Sequence, residues 1–165
     1  TVCNDLNIPC STPFLTIDAV ECVQKYGTDK PDTRQYPEEY AFLWVVNFPL
    51  VEVSENNILT PTHHPLALPI LEDEHLPENL SGVRTASYDL VLNGMEIGGG
   101  DLRIHSEGLQ REIVRRLGFD KLQFTLLLEA LHIEKVPPHG GMAIGLDRVV
   151  MQLTRTKEIR NVNFF

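Results

Sequence analysis

The dipeptide Asn93-Gly94, set between two runs of β-forming residues, constrains this chain more than any other feature. Asn-Gly between apolar stretches is the strongest short-range hairpin signal, because a two-residue type I′ turn needs positive φ at both central residues. The surrounding stretch, residues 87–105, reads SYDLVLNGMEIGGGDLRIH. A two-residue turn predicts that Leu92 faces Met95 and that Val91 faces Glu96. Asp89 shares a face with Val91. Asp89 and Glu96 thus become diagonal neighbours, roughly 7–8 Å apart at the backbone. Two such carboxylates are either solvated acids on an open sheet face or a pair that repels until a cation stands between them. Their oxygens suit Mg²⁺ carrying phosphates.

Arg103 complicates the strand. Its separation from Glu96 is odd, so a regular strand would turn the two side chains to opposite faces. Glycines at 98, 99 and 100 can host a bulge that brings Arg103 round to the acid face. They also let a flat ligand approach the backbone closely. The run therefore reads as a sheet floor beneath a ligand, with acids for a metal and a guanidinium for a carboxylate. Arginine suits the last task through bidentate pairing.

A second element, HGGMAIGLDR, covers residues 139–148. Its small residues predict a low strand platform. The chain then turns at Gly145 into a helix with Arg148 in the first turn and Val149, Val150 and Leu153 toward the core. Arg148 can reach a phosphate from there. The string is neither a P-loop nor a dinucleotide fingerprint. His63 and His64 precede Pro65; adjacent histidines are poor co-ligands, and nothing lies at zinc spacing. The remaining readings are a ligand-contacting loop histidine and an ordinary exposed pair. There is no serine nucleophile elbow and no Cys–His arrangement.

The rest of the chain supplies scaffold signals. Residues 1–13 read as irregular. Asp18 and Glu21 form a capping pattern for a helix that runs to about Tyr26, before Gly27. GTDKPDTRQYPEEY is a polar, proline-containing connection, the place for a deleted or shortened insertion. AFLWVVNFPLVEV reads as a buried strand interrupted at Pro49. SENNILTPTHHPLALPI reads as loop, and EDEHLPENLSG as a solvated acidic surface. Ser106 caps a helix with the apolar stripe Leu109, Ile113, Val114 and Leu117, closed by Gly118. Asp120 caps another, with Phe124, Leu127, Leu128 and Leu131 predicted in the core. The pattern implies an α+β fold, an antiparallel β-sheet flanked by helices.

At 165 residues the chain is the size of one domain. Its net charge of −9 argues against a generally basic nucleic-acid surface, though a few placed arginines can still meet RNA. No apolar run reaches membrane-span length, so no membrane partner is expected. Cys3, Cys10 and Cys22 form no C-x-x-C pair and are odd in number, which predicts reduced thiols.

Taken together and in order, YGTDKPD, FLWVVNFPL, THHPL, YDLVLNGMEIGGGDLRIH, LLEAL, PPHGGMAIGLDR and IRNV resemble the bacterial and mitochondrial type of aspartyl-tRNA synthetase, a class II aminoacyl-tRNA synthetase. The resemblance covers nearly everything from Phe14 onward. It implies a partial catalytic domain over residues 1–165. Residues 1–40 would hold the helix and shortened connection, and residues 41–165 the sheet, helices and third signature motif. It further implies that His63 and Arg103 bind aspartate, Arg103 through the side-chain carboxylate. Asp89 and Glu96 would hold Mg²⁺. Glu96, Gly145, Leu146, Asp147 and Arg148 would bind ATP, with Arg103, Glu96 and Arg148 at the catalytic centre. The implied reaction activates L-aspartate with ATP and transfers it to tRNA, in an enzyme that is a homodimer when complete. No string matches the family's anticodon-binding barrel or its first and second motifs. Asn47 and Asn161 also depart from its pattern. The chain is therefore expected to be a fragment, inactive alone; the competing reading is an inactive synthetase-like binding or regulatory module. The missing insertion favours the mitochondrial matrix, with bacterial cytoplasm as the alternative.

Overall fold

The computed structural model describes residues 5, 8–9, 12–56, 58–73, 75–133 and 135–163, with the Lys121 side chain excepted. Cys3 and Cys10 lie outside them. In chain order the elements begin with β1 (Leu15–Asp18), α1 (Ala19–Tyr26), β2 (Phe42–Val46), β3 (Val51–Val53), β4 (Leu59–Pro61), β5 (Pro69–Ile70) and β6 (Arg84–Thr85). They continue with β7 (Ser87–Leu92), β8 (Met95–Leu102), α2 (Glu107–Arg116), α3 (Thr125–Ile133), β9 (Gly140–Ile144) and α4 (Leu146–Thr154). The chain divides into two compact units: Thr1–Val46, Tyr88–Gly100 and Met142–Phe165 form the first, and Asn47–Ser87 with Asp101–Gly141 the second.

The first unit is built on the sheet. Strand order is β1-β2-β7-β8-β9. The capping prediction for α1 holds: Asp18 Oδ1 accepts from Val20 N at 2.9 Å, and Gly27 closes the helix at φ 73°. The strand before it was not anticipated. β1 runs parallel to β2, with Leu15 opposite Leu43. The sheet is therefore mixed rather than wholly antiparallel, because α1 supplies the crossover that parallel neighbours need. β2 and β7 are antiparallel, with Val45 opposite Asp89. Leu90, Leu92 and Ile97 form one core cluster against Phe14, Tyr40, Phe42, Trp44 and Val149. Phe14 and Phe42 stack at 4.7 Å. In α4, Met151 is the buried residue, while Val149, Val150 and Leu153 are half-buried. The Cys22 thiol is free and buried; desolvation pushes its pKa up, and Asp29 adds to the rise.

The hairpin turn forms as its dipeptide demands, with φ of 51° at Asn93 and 82° at Gly94. Asn93 also ties the turn to the segment before β2. Its Oδ1 accepts from Ala41 N at 2.8 Å, and its Nδ2 donates to Glu39 O at 3.2 Å. From that turn a regular ladder would set Asp89 opposite Gly98. Instead, a Cβ on Gly99 would lie 2.3 Å from Asp89 Oδ1. Farther along the chain, Leu102 N donates to Ala86 O at 3.0 Å. Both contacts are one residue out of the turn's register, the signature of a bulge in β8. None of Gly98, Gly99 and Gly100 has positive φ. Gly98 and Gly99 are needed for space: a Cβ on Gly98 would stand 2.7 Å from Ala143 O of β9.

The second unit carries two ribbons, β3–β4 and β5–β6. One core cluster there is Leu50, Val51, Leu80 and Val83, packed by Leu59, Leu71, Leu76 and Leu117. The segment read as loop thus contains β4 and β5. The segment read as a strand interrupted at Pro49 does break there: β2 ends at Val46 and β3 begins at Val51, with Asn47 at φ 57° between them. Ser106 caps α2 and Gly118 follows it with φ 71°. The next helix starts as a 3₁₀ turn, Lys121–Phe124, capped by Asp120, before α3. Of its four predicted core residues Leu128 and Leu131 are buried, whereas Phe124 and Leu127 are half-buried. Phe124 packs on Phe119 at 5.5 Å instead. Among the described residues no helix is long and apolar enough to cross a membrane.

Candidate functional site

The first unit gathers Asp89, Glu96, Lys30 and Arg148. Gly145 N donates to Ile97 O at 2.8 Å, which fixes the start of α4 beside β8. Arg148, one turn into the helix, then reaches Glu96 twice. Its Nη1 donates to the Glu96 carbonyl at 2.9 Å and lies 3.3 Å from Oε1. Lys30 Nζ stands 3.6 Å from Glu96 Oε2 and 3.3 Å from Asp29 Oδ2. Desolvation lowers the Lys30 pKa, but the carboxylates of Asp29, Glu96 and Asp89 outweigh it and hold the ammonium above its ordinary value. Lys30 is thus a protein cation beside the two acids predicted to need one. Sequence reasoning missed it, because nothing periodic ties a lysine in a polar connection to a strand 66 positions on. Asp147 is half-buried in the same helical turn, and Leu146 is exposed.

Asp89 is 4% exposed, whereas the Glu96 side chain is 29% exposed. Among the described residues no three His, Cys, Asp or Glu side chains cluster to hold a metal. A pair of carboxylates is nonetheless the donor set of a Mg²⁺ that takes its other ligands from phosphates and water. The residues present fit that kind of ion and not an all-protein cage.

The second unit holds a different cluster. Asp101, at the end of β8, is 3% exposed. Its Oδ1 lies 2.9 Å from Arg103 Nε, and its Oδ2 lies 2.9 Å from His64 Nε2. Arg103 Nη1 sits 2.6 Å from His64 Nε2 and 3.2 Å from Nδ1. The loop that carries the histidines is pinned from several sides. Gln110 Nε2 donates to Pro65 O at 2.8 Å, and Ile104 N donates to Leu66 O at 3.0 Å. Desolvation pushes the His64 pKa down; Asp101 opposes it, Arg103 and His63 reinforce it, and the net direction is below the ordinary value.

The structure therefore brings His64, not His63, to Arg103. His63 packs edge-on against Phe48, with ring centroids 4.5 Å apart. Asp101 is the other residue that sequence reading passed over. Its signal was present: an acid two positions before the arginine in a strand shares the arginine's face. Asp89, Glu96, Gly145, Leu146, Asp147 and Arg148 belong to the first unit, and His63 and Arg103 to the second.

Comparison with known proteins bears on these clusters. The family described as tRNA synthetases class II (D, K and N) matches residues 2–165. An aspartate--tRNA(Asp/Asn) ligase of Protochlamydia amoebophila is 48% identical over 135 residues, 78% of this chain and 22% of the relative. An aspartate--tRNA ligase of Ruminiclostridium cellulolyticum is 44% identical over 135 residues, 78% of this chain and 23% of the relative. The chain spans about a quarter of the length of the curated relatives it matches, between 22% and 26%. Among solved structures, the aspartyl tRNA synthetase from Entamoeba histolytica matches with TM-score 0.65 at 21% identity, over 92% of this chain and 31% of that one. The asparaginyl-tRNA synthetase from Pyrococcus horikoshii gives 0.61 at 18% identity, over 93% and 35%. These two likenesses concern the fold.

Proposed function

We propose, since the chain belongs to the class II tRNA synthetases of the D, K and N family, that it is part of an aspartate–tRNA ligase. The reaction is ATP-dependent activation of L-aspartate to aspartyl-adenylate, followed by transfer to tRNA. Identities of 43–48% to relatives named as aspartate ligases support the amino acid. The observation that carries the reading is Arg103, a guanidinium 36% exposed and held in place, suited to the side-chain carboxylate of aspartate. The other partners are ATP and tRNA, with the complete protein acting as a homodimer.

In this reading Glu96 and Arg148 form the ATP end, with Gly145, Leu146 and Asp147 as the backbone turn beside it. Arg148 is held by Glu96 and can exchange that partner for a phosphate oxygen. Lys30 keeps the acid pair balanced before substrate arrives. Asp89 and Glu96 would hold Mg²⁺, which neutralises phosphate charge when bound. His63 contributes to the aspartate pocket. The work of these residues is positioning and charge stabilisation, with no covalent enzyme intermediate. A mitochondrial matrix location is part of the proposal.

Aspartate-dependent ATP–pyrophosphate exchange by the full-length protein tests the reading. Exchange that disappears in Arg103→Leu while ATP still binds is the expected result. Wild-type protein without exchange favours the inactive binding-module reading instead.

A further inference from the structure

The second unit contains a carboxylate that the functional reading has not used. Asp101 is buried between two groups that converge on the proposed ligand position, and its contacts divide the guanidinium of Arg103 atom by atom. Nε faces Asp101 Oδ1 at 2.9 Å, and Nη1 lies against the His64 ring. Among the described residues none is in hydrogen-bond or ion-pair contact with Nη2.

His64 stands against both charged groups. Leu66 N lies 3.1 Å from Nδ1, and Arg103 Nη1 lies 2.6 Å from Nε2. Nε2 is also at ion-pair distance from Asp101 Oδ2, 2.9 Å. The charged and titratable groups facing His64 are Asp101, Arg103 and His63.

We propose that Asp101 is a positioning residue for carboxylate binding: its buried carboxylate stands at ion-pair distance from Arg103 Nε through Oδ1 and from the His64 ring through Oδ2, fixes both by charge, and leaves Arg103 to meet its ligand with the Nη2 end. This rests on the reading that Arg103 takes the aspartate side chain. An arginine otherwise loses much rotamer freedom when it binds, and a fixed guanidinium has already lost it. The same carboxylate also partly cancels the charge of Arg103. The opposite outcome, Asp101 as a competitor for Arg103, therefore predicts the opposite sign and is separable by experiment.

The experiment compares Asp101→Ser and Asp101→Asn in the full-length protein. Asp101→Ser is expected to raise KM for aspartate about tenfold or more, with kcat and KM for ATP changed less than about twofold. Asp101→Asn should fall between, because one carboxamide oxygen keeps one of the two contacts; it also serves if the serine variant folds poorly. Nitrogen-15 NMR of the same proteins supplies a readout independent of catalysis. Wild type should show a distinct Arg103 Nε resonance, which moves toward the position of a free arginine in Asp101→Ser. An aspartate KM that stays the same or falls overturns the proposal, as does an Arg103 Nε resonance unchanged in Asp101→Ser. A wild type without aspartate-dependent exchange sinks the functional reading alone. NMR titration with L-aspartate then decides the role of Asp101: weaker binding in Asp101→Ser supports it, and equal or tighter binding refutes it.

Discussion

Glu96 and Asp101 lie on the same strand and each faces two basic side chains, yet their surroundings differ. Glu96 keeps 29% of its side chain exposed, and its partners Lys30 and Arg148 are exposed at 39% and 46%. Asp101 is nearly sealed. Ion pairs as open as those of Glu96 are screened and contribute about 0–1 kcal/mol each, so an incoming phosphate can replace them at little cost. A carboxylate buried like Asp101 loses much more when one partner is taken away. The first cluster is built to change partners, and the second to keep them.

The largest effect expected from breaking this contrast comes from Arg103→Leu. It should lower aspartate-dependent pyrophosphate exchange about a thousandfold. It also leaves Asp101 without its guanidinium, so the melting temperature should fall as well. If exchange is retained, Arg103 is not the carboxylate seat. Gly99→Ala should come next, costing about 1–3 kcal/mol in chemical denaturation. A methyl there would meet Asp89 Oδ1 at 2.3 Å, so the carboxylate or the bulge must move. A fully tolerated alanine would show that the close approach is unnecessary.

The open cluster should respond more gently. Lys30→Met and Arg148→Ala are each expected to raise KM for ATP about tenfold, with unfolding stability changed by less than about 1 kcal/mol. A large stability loss in either would erase the contrast with Asp101. The smallest effect is a pH slope. The folded-state pKa of His64 is lowered, so below the ordinary histidine value of about 6.5 the unfolded chain takes up the proton first. Stability should therefore fall as pH drops from about 6.5 toward the depressed folded pKa, and flatten below it. His64→Gln should remove that segment of the slope in a melting series between pH 7 and 5.

What the sequence disclosed follows the range of each signal. The Asn93-Gly94 turn, the Asp18 and Ser106 caps and the need for a bulge between Glu96 and Arg103 are short-range rules, and each has its counterpart in the fold. β1 escaped because four residues carry too little periodicity, and its parallel pairing with β2 depends on a crossover that only tertiary packing reveals. Asp120 was placed as a cap, but the helix behind it begins as a 3₁₀ turn, which leaves Phe124 half-exposed on Phe119. At the site, acids and arginines were legible as residue types. Their partners were not, because Lys30 meets Glu96, and His64 meets Asp101, only through long-range folding. That His64 meets Arg103 while His63 packs on Phe48 likewise depends on the fold.

The hairpin turn has a chemical consequence of its own. Asparagine followed by glycine is the dipeptide most prone to spontaneous deamidation, in which the following amide nitrogen attacks the side-chain carbonyl and closes a succinimide. Here the Asn93 amide is committed at both ends, Oδ1 to Ala41 and Nδ2 to Glu39. Ring closure would have to give up both contacts and the left-handed backbone that sets the strand register. The folded chain thereby shields its own weakest covalent point, and isoaspartate at position 93 would mark molecules that had spent time unfolded.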